Sequence, residues 1–522
     1  MTLVLNRAYL AKDYQKLVMS GFSPLLARIF ASRSIQDAAQ LDTALTHLLP
    51  FTQLKNAQEM ARLLADAIKA QKKILIVADY DADGATACAM AMRGLGLFGA
   101  RVDFIVPNRF EFGYGLTPEI VQLAAQLKPD FLLTVDNGIA SVEGVAEANR
   151  LGMRVLVTDH HLPGDALPDA LCIVNPNQLG CDFPSKNLAG VGVIFYVLLA
   201  LRAELRERGT FATQAEPNLG ALLDLVALGT VADVVKLDKN NRILVQQGLQ
   251  RMRAERACAG INAIFKIAKK NLAKASAYEL GFIVGPRLNA AGRLEDMGLG
   301  IRCLLTDDAN EAFAIATKLD ALNQERRNIE ADMQEVALAA LEQVTPEDGF
   351  SLTLFDESWH QGVIGILASR LKDRFHRPVI AFARAKDGEL KGSGRSINGL
   401  HLRDALDLVA KRHPHLLQKF GGHAMAAGVS IREDHFDEFQ QAFERVTQTL
   451  LTPTDLEKTI ETDGELSSSD CSLDLARVLE QQVWGQGFPE PLFRGDFQVQ
   501  SQRIVGEKHL KLQLRQVTGP TF

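Results

Sequence analysis

Three aspartates at alternate positions follow an apolar run early in the chain. The run KILIVA is typical of a buried strand, and Asp79, Asp81 and Asp83 come directly after it, with a glycine next. In an open α/β sheet, ligands bind beyond the carboxyl ends of the strands. Carboxylates gathered there repel one another unless a cation offsets their charge, and clustered oxygen ligands suit Mg²⁺ or Mn²⁺. The pattern therefore predicts a catalytic metal site.

Two other interpretations of this acidic segment stay open from its residues alone. It could be a solvated loop, or a calcium-binding loop of the DxDxDG type. The calcium loop requires a glutamate six residues beyond its glycine, and this chain has Met90 there. The calcium interpretation is therefore the weaker of the two.

Further candidate ligands follow later strands. Asp136 comes after the run FLLTV, Asp159, His160 and His161 come after RVLVT, and Asp233 lies in a helix-rich part beyond them. Each residue alone fits a capping or core hydrogen-bonding role. Successive parallel strands, however, end at the same edge of a sheet. The set as a whole predicts a site for two metal ions, with one or two carboxylates bridging them.

Such a site has the chemistry of phosphoester hydrolysis. Two ions about 3.5–4 Å apart bind both the attacking and the leaving oxygen, and a coordinated water loses its proton near neutral pH. A histidine among aspartates shifts the preference from Mg²⁺ towards Mn²⁺. His161 directly follows the predicted ligand His160 and cannot easily bind the same ion. We expect it to contact the phosphate or to protonate the leaving group.

Three glycine-rich segments further along carry arginine or histidine: GPRLNAAGR, GSGRSI and GGHAMAAG. Exposed backbone N–H groups and a guanidinium bind anions, so these segments predict phosphate-reading loops. Tight turns that need glycine are the alternative. In WHQGVIG, Trp359 could stack on a base or lie in the core. The candidate phosphate-binding residues are Arg109, in the loop after the strand RVDFIV, and Arg287, Asn289, Arg293, Ser393, Arg395, Ser396 and His423.

The elements that position these residues alternate between strand and helix. This predicts an α/β fold with a mainly parallel sheet, followed by a long helix of about thirty residues that connects it to a second α/β part. The predicted divisions are an N-terminal helical segment (1–50), the first α/β domain (51–255), a helical connector (256–345), the second α/β domain (346–455) and a β-rich part resembling a small barrel (456–522).

Length and composition indicate which class of protein this is. With 522 residues, 47% hydrophobic and 23% charged, the chain is an ordinary globular protein of several domains, and its net charge of −6 argues neither for nor against nucleic acid. Six cysteines without CxxC spacing fit a reducing compartment. The longest apolar run, VGVIFYVLLAL, is too short to span a membrane, and no signal peptide is evident at the N-terminus. We expect a cytoplasmic protein.

The motifs VADYDADG, VDNG, VTDHH and GTVADV resemble the ordered signature of the DHH phosphoesterase superfamily. Together with GPRLNAAGRL, WHQGVIGILASRL, GSGRSI and GGHAMAAG, they are similar to its single-strand-specific 5′→3′ exonucleases over roughly residues 45–450. The resemblance implies a DHH domain, a long connecting helix, a DHHA1 domain and an OB-fold, arranged around a central channel. It further implies that Asp159 orients the histidines.

The resemblance also implies a full site. Its metal ligands for Mn²⁺ or Mg²⁺ would be Asp79, Asp81, Asp83, Asp136, His160 and Asp233. Its catalytic residues would be His161, Asp159 and Asp136. The residues that bind the DNA backbone or its 5′ end would be Arg109, Arg287, Ser393, Arg395 and His423.

The expected activity is hydrolysis of single-stranded DNA from its 5′ end to 5′-mononucleotides, in recombination and in repair that includes mismatch repair. The expected partners are a single-strand-binding protein and a helicase, with no membrane. Two alternatives are a phosphodiesterase acting on short oligonucleotides or cyclic dinucleotides, and a nucleic-acid-binding scaffold with an inactive site. One departure from the family pattern is that the chain stops soon after VGEKHLKLQLRQ, which predicts an incomplete barrel or a truncated version.

Overall fold

The computed structural model describes residues 2–107, 115–341, 349–467, 469–506 and 509–517. The chain divides into two compact units, which are described separately below. The larger unit contains Arg7–Asn323 and Thr462–Phe522, and the smaller unit contains Met1–Asn6 and Gln324–Glu461.

Strands and helices alternate along most of the chain. The strands of the described residues are β1 Leu3–Asn6, β2 Lys73–Ala78, β3 Arg101–Ile105, β4 Phe131–Val135, β5 Arg154–Thr158, β6 Cys172–Val174, β7 Leu352–Phe355, β8 Val379–Arg384, β9 Glu389–Arg395, β10 Leu417–Gly422, β11 Ala426–Arg432, β12 Thr459–Thr462, β13 Phe497–Val505 and β14 His509–Gln516. The α-helices of the same residues are α1 Ala11–Met19, α2 Pro24–Ala31, α3 Ala57–Lys69, α4 Ala82–Leu97, α5 Pro118–Gln126, α6 Val142–Arg150, α7 Gly190–Glu207, α8 Leu223–Ala232, α9 Lys239–Arg253, α10 Ala259–Ile267, α11 Ala277–Glu279, α12 Gly285–Leu294, α13 Gly298–Leu305, α14 Ala309–Leu341, α15 Ile364–Phe375, α16 Leu402–Arg412, α17 Phe436–Leu450 and α18 Leu473–Glu480.

The larger unit is built on a parallel sheet. Its described strands lie in the order β3-β2-β4-β5-β6, and every neighbouring pair is parallel. The predicted α/β fold class is therefore confirmed. Ala78 pairs with Val135, and Val135 pairs with Thr158, so β2, β4 and β5 end level with one another. The residues that follow these three strands begin at adjacent points on one edge of the sheet.

Both faces of this sheet are buried, which explains the nearly continuous apolar runs of its strands. In β2, Ile74 and Ile76 pack into the main core, and Leu75 and Val77 pack into a second core on the opposite face. Helices α3, α4, α7 and α8 contribute to the main core, and α5 and α6 contribute to the second. The strand ends are thereby held rigidly between two helical layers.

The smaller unit contains a mixed sheet in the order β10-β11-β9-β8-β7, counted over the described residues. Strands β7 and β8 are parallel, and the other neighbours are antiparallel. Trp359 is 5% exposed and packs in a core of this unit, so the core interpretation of this residue holds rather than the base-stacking one. Ser393 and Arg395 lie on the strand β9 and not in a loop.

The segment GPRLNAAGR forms helix α12, so the prediction of a loop there was wrong. Its glycines serve close packing, because a Cβ on residue 292 would lie 2.0 Å from the backbone oxygen of Tyr80. A π-helical turn, Leu280–Val284, precedes Pro286, which has no N–H to donate within the helix. Gly292 is therefore needed for the close approach of helix α12 to the backbone of Tyr80, and not for a turn.

Two further predictions are met where the structure describes them. The long helix is continuous over the 33 residues of α14. Near the C-terminus, β13 and β14 form an antiparallel hairpin within the part predicted to be β-rich. In the described part of the chain, no helix is both long enough and apolar enough to cross a membrane.

Candidate metal centre

The segment after β2 folds tightly and presents its carboxylates at the sheet edge. Asp79 accepts a hydrogen bond from the backbone N–H of Tyr80 at 2.8 Å. Asp81 caps helix α4, because its Oδ1 accepts the N–H groups of Asp83 and Gly84, each at 2.9 Å. Glycine is required at position 84, where a Cβ would lie 2.4 Å from the backbone oxygen of Asp79.

Asp83 is buried against the start of helix α7. Its two oxygens accept the backbone N–H groups of Gly190 at 2.5 Å and of Val191 at 3.0 Å. The first N–H groups of a helix have no partner within it, and the helix dipole favours a negative charge there. No motif in the sequence marks this helix start as a part of the site.

His160 is the point at which the distant carboxylates meet. Its Nε2 lies 3.1 Å from Oδ1 of Asp136, 3.4 Å from Oδ2 of Asp233 and 4.0 Å from Oδ2 of Asp83. Asp136 has a left-handed backbone with a φ of 63°, which turns its side chain into the centre. Asp233, at the C-terminus of α8, is brought in by the packing of that helix.

Asp159 is held away from the other carboxylates by its own hydrogen bonds. Its Oδ1 accepts the backbone N–H groups of His160 and His161 and lies 2.7 Å from Nδ1 of His161, while its Oδ2 accepts the N–H of Ile139 at 2.9 Å. With both oxygens engaged, Asp159 is poorly placed to bind an ion. It is well placed to fix the ring of His161.

Two asparagines in the loop after β6 donate hydrogen bonds to the backbone of the two histidines. Asn175 donates to the backbone oxygen of His161 at 2.9 Å, and Asn177 donates to that of His160 at 2.5 Å. From the sequence alone, the segment NPNQ indicates only a polar loop. The signal that could have found these residues is a polar segment after a fourth parallel strand, at the edge where the other strands present ligands.

Three carboxylates of the centre have raised pKa values, as expected for a cation site. Burial, and then the charge of Asp81, raise the pKa of Asp83 to about 7. Burial and the charges of neighbouring aspartates raise the pKa values of Asp136 and Asp233 well above their ordinary range. Buried carboxylates so close together repel one another, and a bound divalent ion would relieve this repulsion.

The donor atoms suit such an ion. Three sets of ligand atoms each lie within 4.8 Å of one another: those of Asp79, Asp81 and Asp136, those of Asp83, His160 and Asp233, and those of Asp136, His160 and His161. Carboxylate oxygens with one or two imidazole nitrogens fit Mn²⁺, and also Mg²⁺. The third set shares Asp136 with the first and His160 with the second, so the three sets describe adjacent positions.

The pKa of His161 is raised by the carboxylates around it. Burial alone would lower it, but the hydrogen bond with Asp159 and the charges of Asp159, Asp79 and Asp81 outweigh burial and raise it to about 9. The same pairing lowers the pKa of Asp159, although burial acts in the opposite direction. An imidazolium held by a carboxylate is therefore the state that this geometry favours at neutral pH.

In the larger unit, the candidate phosphate-binding residues of helix α12 have partners of their own. Arg287 forms an ion pair with Asp320 at 2.7 Å. The side-chain oxygen of Asn289 accepts the N–H of Ala82 at 2.8 Å, so Asn289 lies against the acidic segment. Arg293 is half-buried on the same helix. The predicted contact of Arg109 lies outside the described residues.

In the smaller unit, Ser393 and Arg395 lie together at the start of helix α15. Arg395 donates to Oγ of Ser393 at 3.1 Å and forms no ion pair among the described residues, and its burial lowers its pKa. A Cβ on Gly365 would lie 2.9 Å from both side chains, so the first turn of α15 packs against them. Ser396 is fully buried and donates to the oxygen of Leu400, and His423 is exposed between β10 and β11.

Three family models match this chain. The DHH family N-terminal domain matches residues 73–230, the DHHA1 domain matches residues 348–449 and the RecJ OB domain matches residues 462–521. The single-stranded-DNA-specific exonuclease RecJ of Salmonella typhimurium strain LT2 is 51% identical over 503 residues, which are 95% of this chain and 87% of that protein. The chain belongs to the RecJ family. RecJ of Escherichia coli strain K12 is likewise 51% identical, over 505 residues and with the same coverage.

Solved RecJ structures share the fold. The crystal structure of RecJ from Thermus thermophilus in complex with Mn²⁺ has a TM-score of 0.83 and 32% identity, and covers 99% of this chain and 73% of that one. The complex of the same protein with Mg²⁺ has a TM-score of 0.77 and 31% identity, covering 99% and 71%. The resemblance to the DHH superfamily that the motifs indicate is thereby confirmed.

Proposed function

We propose that this RecJ family member is a metal-dependent 5′→3′ exonuclease that hydrolyses single-stranded DNA to 5′-mononucleotides. The observation that carries the proposal is the meeting of His160 with Asp83, Asp136 and Asp233 at one edge of the parallel sheet, beside the three aspartates that follow β2. The names of the relatives, single-stranded-DNA-specific exonucleases, support the choice of substrate.

The cofactor of the proposed reaction is Mn²⁺ or Mg²⁺ at two positions. Asp79, Asp81 and Asp136 would hold one ion, and Asp83, His160 and Asp233 would hold the other, with Asp136 close to both. Such a pair of ions, when bound, provides a nucleophile near neutral pH and offsets the charge on the phosphate. The complexes of the Thermus protein with Mn²⁺ and Mg²⁺ support this assignment.

His161 acts on the phosphate in this proposal, and Asp159 is its positioning residue. The Asp159 contact at Nδ1 leaves Nε2 of the ring as the donor that can face a phosphate oxygen or the leaving oxygen. Because Asp159 keeps the imidazole protonated at neutral pH, His161 can donate a proton without first acquiring one. Asp136 completes the catalytic set as a shared carboxylate.

Cations and polar groups of each unit would hold the DNA strand, either by contacting it or by supporting the residues that do. In the larger unit these are Arg109, Arg287, Asn289 and Arg293. In the smaller unit they are Ser393, Arg395, Ser396 and His423. Arg395 supports this role best, because it is half-buried and has no carboxylate partner among the described residues. For Asn289 and Ser396, whose side chains already bond to the backbone, we propose support of the site rather than direct contact.

The proposed setting is recombination and DNA repair, including mismatch repair. A single-strand-binding protein and a helicase are the proposed partners, because both deliver or protect single strands. We also propose a cytoplasmic location, because single-stranded DNA that arises in recombination and repair would be available to the enzyme there.

Digestion of end-labelled substrates tests the proposal. We expect a 5′-labelled single strand to release labelled mononucleotide with Mn²⁺ or Mg²⁺, a duplex to resist, and EDTA to stop the reaction. Asp81→Ala and Asp136→Ala should abolish it, while Asp66→Asn, an exposed aspartate of the larger unit, should not. Unchanged degradation by both alanine variants would refute the site, and faster cleavage of a dinucleotide than of a long strand would indicate a short-oligonucleotide phosphodiesterase instead.

A further inference from the structure

Three of the eleven histidines lie together in the smaller unit, at a place that the proposed reaction does not use. His413 directly follows helix α16, and His415 lies two residues further on, before β10. His435 is the residue before helix α17, and Glu438 lies in the first turn of that helix. These four residues are called the histidine cluster below. The turn between α16 and β10 and the start of α17 thus bring four potential ligands to one spot.

Glu438 is the centre of the histidine cluster. Nε2 of His415 lies 3.2 Å from each of its carboxylate oxygens, and Nδ1 of His413 lies 3.7 Å from Oε1. The ring of His435 lies 5.5 Å from that of His415 between centroids, and the rings of His413 and His415 are 6.4 Å apart. Two imidazoles therefore contact this carboxylate, and the ring of His435 lies beside that of His415.

The two imidazole–carboxylate separations are close to those expected between ligands of one ion. Zinc binds imidazole nitrogen and carboxylate oxygen at about 2.0–2.1 Å in a tetrahedron, and two such ligand atoms are then about 3.3 Å apart. The contacts of His415 and His413 with Glu438 are close to that value. The His415 and Glu438 side chains are 55% and 47% exposed, so they have room to rotate further towards a common ion.

One imidazole nitrogen of the cluster lacks a partner. Nδ1 of His435 is buried and has no hydrogen bond within the described residues. A buried polar atom that gives up water without gaining a partner is unfavourable, and binding a ligand or an ion removes that deficit. The backbone around the cluster is held in place because Leu416 and Phe439, next to His415 and Glu438, are fully buried.

We propose that His413, His415, His435 and Glu438 form a zinc site that ties the turn before β10 to helix α17. Three imidazoles with one carboxylate favour Zn²⁺ over Mg²⁺ and Mn²⁺, which prefer sites dominated by oxygen. Four protein ligands leave no open position, so the site is structural and its effect is on the stability of the smaller unit. It is separate in composition from the oxygen-rich centre of the larger unit.

Zinc stoichiometry tests this site in the full chain. The protein is dialysed against ZnCl₂ with excess MnCl₂, and bound zinc is counted by elemental analysis for the wild type, His415→Gln, His435→Gln and His47→Gln. The last is a matched control, since His47 is an exposed histidine that pairs with a single carboxylate, Asp42, at 3.0 Å. Zinc bound at the oxygen-rich centre is the same in all four proteins and cancels in the comparison.

We expect the wild type and His47→Gln to bind one more equivalent of zinc than His415→Gln and His435→Gln. Zinc should also raise the thermal unfolding midpoint further in the first pair than in the second. Equal stoichiometry in all four proteins would overturn the proposal and leave the cluster as a set of exposed histidine–carboxylate contacts. Mn²⁺-dependent digestion of single-stranded DNA at the wild-type rate verifies that the variants are folded.

Discussion

Gly190 lies so close to Asp136 that a Cβ on residue 190 would be 2.6 Å from the Oδ1 atom of that aspartate. The N–H of the same glycine donates to Asp83. The first residue of helix α7 is therefore in contact with two of the proposed metal ligands. Only a residue without a side chain lets the helix end approach both carboxylates.

Gly190→Ala should displace Asp136 or the start of α7 and so weaken metal binding. Changes to the groups that orient metal ligands commonly reduce affinity about 10–100-fold. Isothermal titration calorimetry measures the Mn²⁺ affinity of the variant. At saturating Mn²⁺, its nuclease activity should recover in part. The control is Gly96→Ala in helix α4, where a Cβ would meet nothing within 4 Å. If both variants bound Mn²⁺ with the wild-type affinity, the contact between α7 and the two aspartates would not contribute to metal binding.

Asp159→Asn should slow the reaction without removing the metal site. The amide keeps the shape of the carboxylate, but it cannot accept all the N–H groups that Oδ1 and Oδ2 now accept. Without the aspartate charge, the pKa of His161 should fall from about 9, so the alkaline limb of the rate profile should move to lower pH.

The rate loss should lie within the ~10²–10⁴-fold range typical of general acid–base groups. Measurements of kcat against pH, together with Mn²⁺ affinity, separate this effect from loss of the ions. A lower rate with an unchanged pH profile would show that Asp159 acts only on the fold.

Arg395→Met should weaken binding of single-stranded DNA and reduce its dependence on salt. Each phosphate contact that is lost lowers the slope of log K against log salt by about 0.7 for a single strand. Fluorescence anisotropy with a labelled oligonucleotide at several salt concentrations measures both quantities. Arg432→Met is the control, since Arg432 lies on the neighbouring strand β11 and pairs with Asp434. Equal salt slopes for the two variants would argue against a phosphate contact at Arg395.

The buried ion pair of Arg33 and Asp463 should be essential for stability of the larger unit. Their side chains are fully buried, 2.7 Å apart, and join the turn after helix α2 to the segment after β12. Removing one partner leaves a buried charge, at a cost of about 3–5 kcal/mol. Asp463→Asn should show this loss in urea unfolding, and the double variant Arg33→Met/Asp463→Leu should be less affected. A loss below the error of measurement in Asp463→Asn would contradict this role.

The same pair predicts a pH dependence. Burial alone would raise the pKa of Asp463, but the hydrogen bonds and charge of Arg33 outweigh burial and lower it. A carboxyl whose pKa is lower in the folded than in the unfolded protein stabilises the fold above its unfolded pKa, and that stabilisation is lost as pH falls. Between about pH 5 and 3, the wild type should therefore lose more stability than Asp463→Asn. Parallel curves for the two proteins would rule out this contribution.

Much of the site could be predicted from the chain because its signals are local. An apolar run that ends in Asp79 or Asp136 reports both a strand and a polar group at its carboxyl end, and parallel strands place those ends on one edge. The segment GPRLNAAGR shows where such reasoning fails. Glycine is used both for turns and for close packing, and only the proximity of Tyr80 to Gly292 distinguishes the two.

By itself, the order of residues determined the parallel sheet, the long helix and the identity of the acidic and imidazole groups, since these depend on neighbours in the chain. Tertiary structure alone decided that Asp233 approaches His160, that Gly190 supports Asp83, and that Asn175 and Asn177 hold the histidines. The physical reason is that these contacts join segments far apart in sequence. Their distances follow from how helices pack on the sheet, which no local pattern encodes.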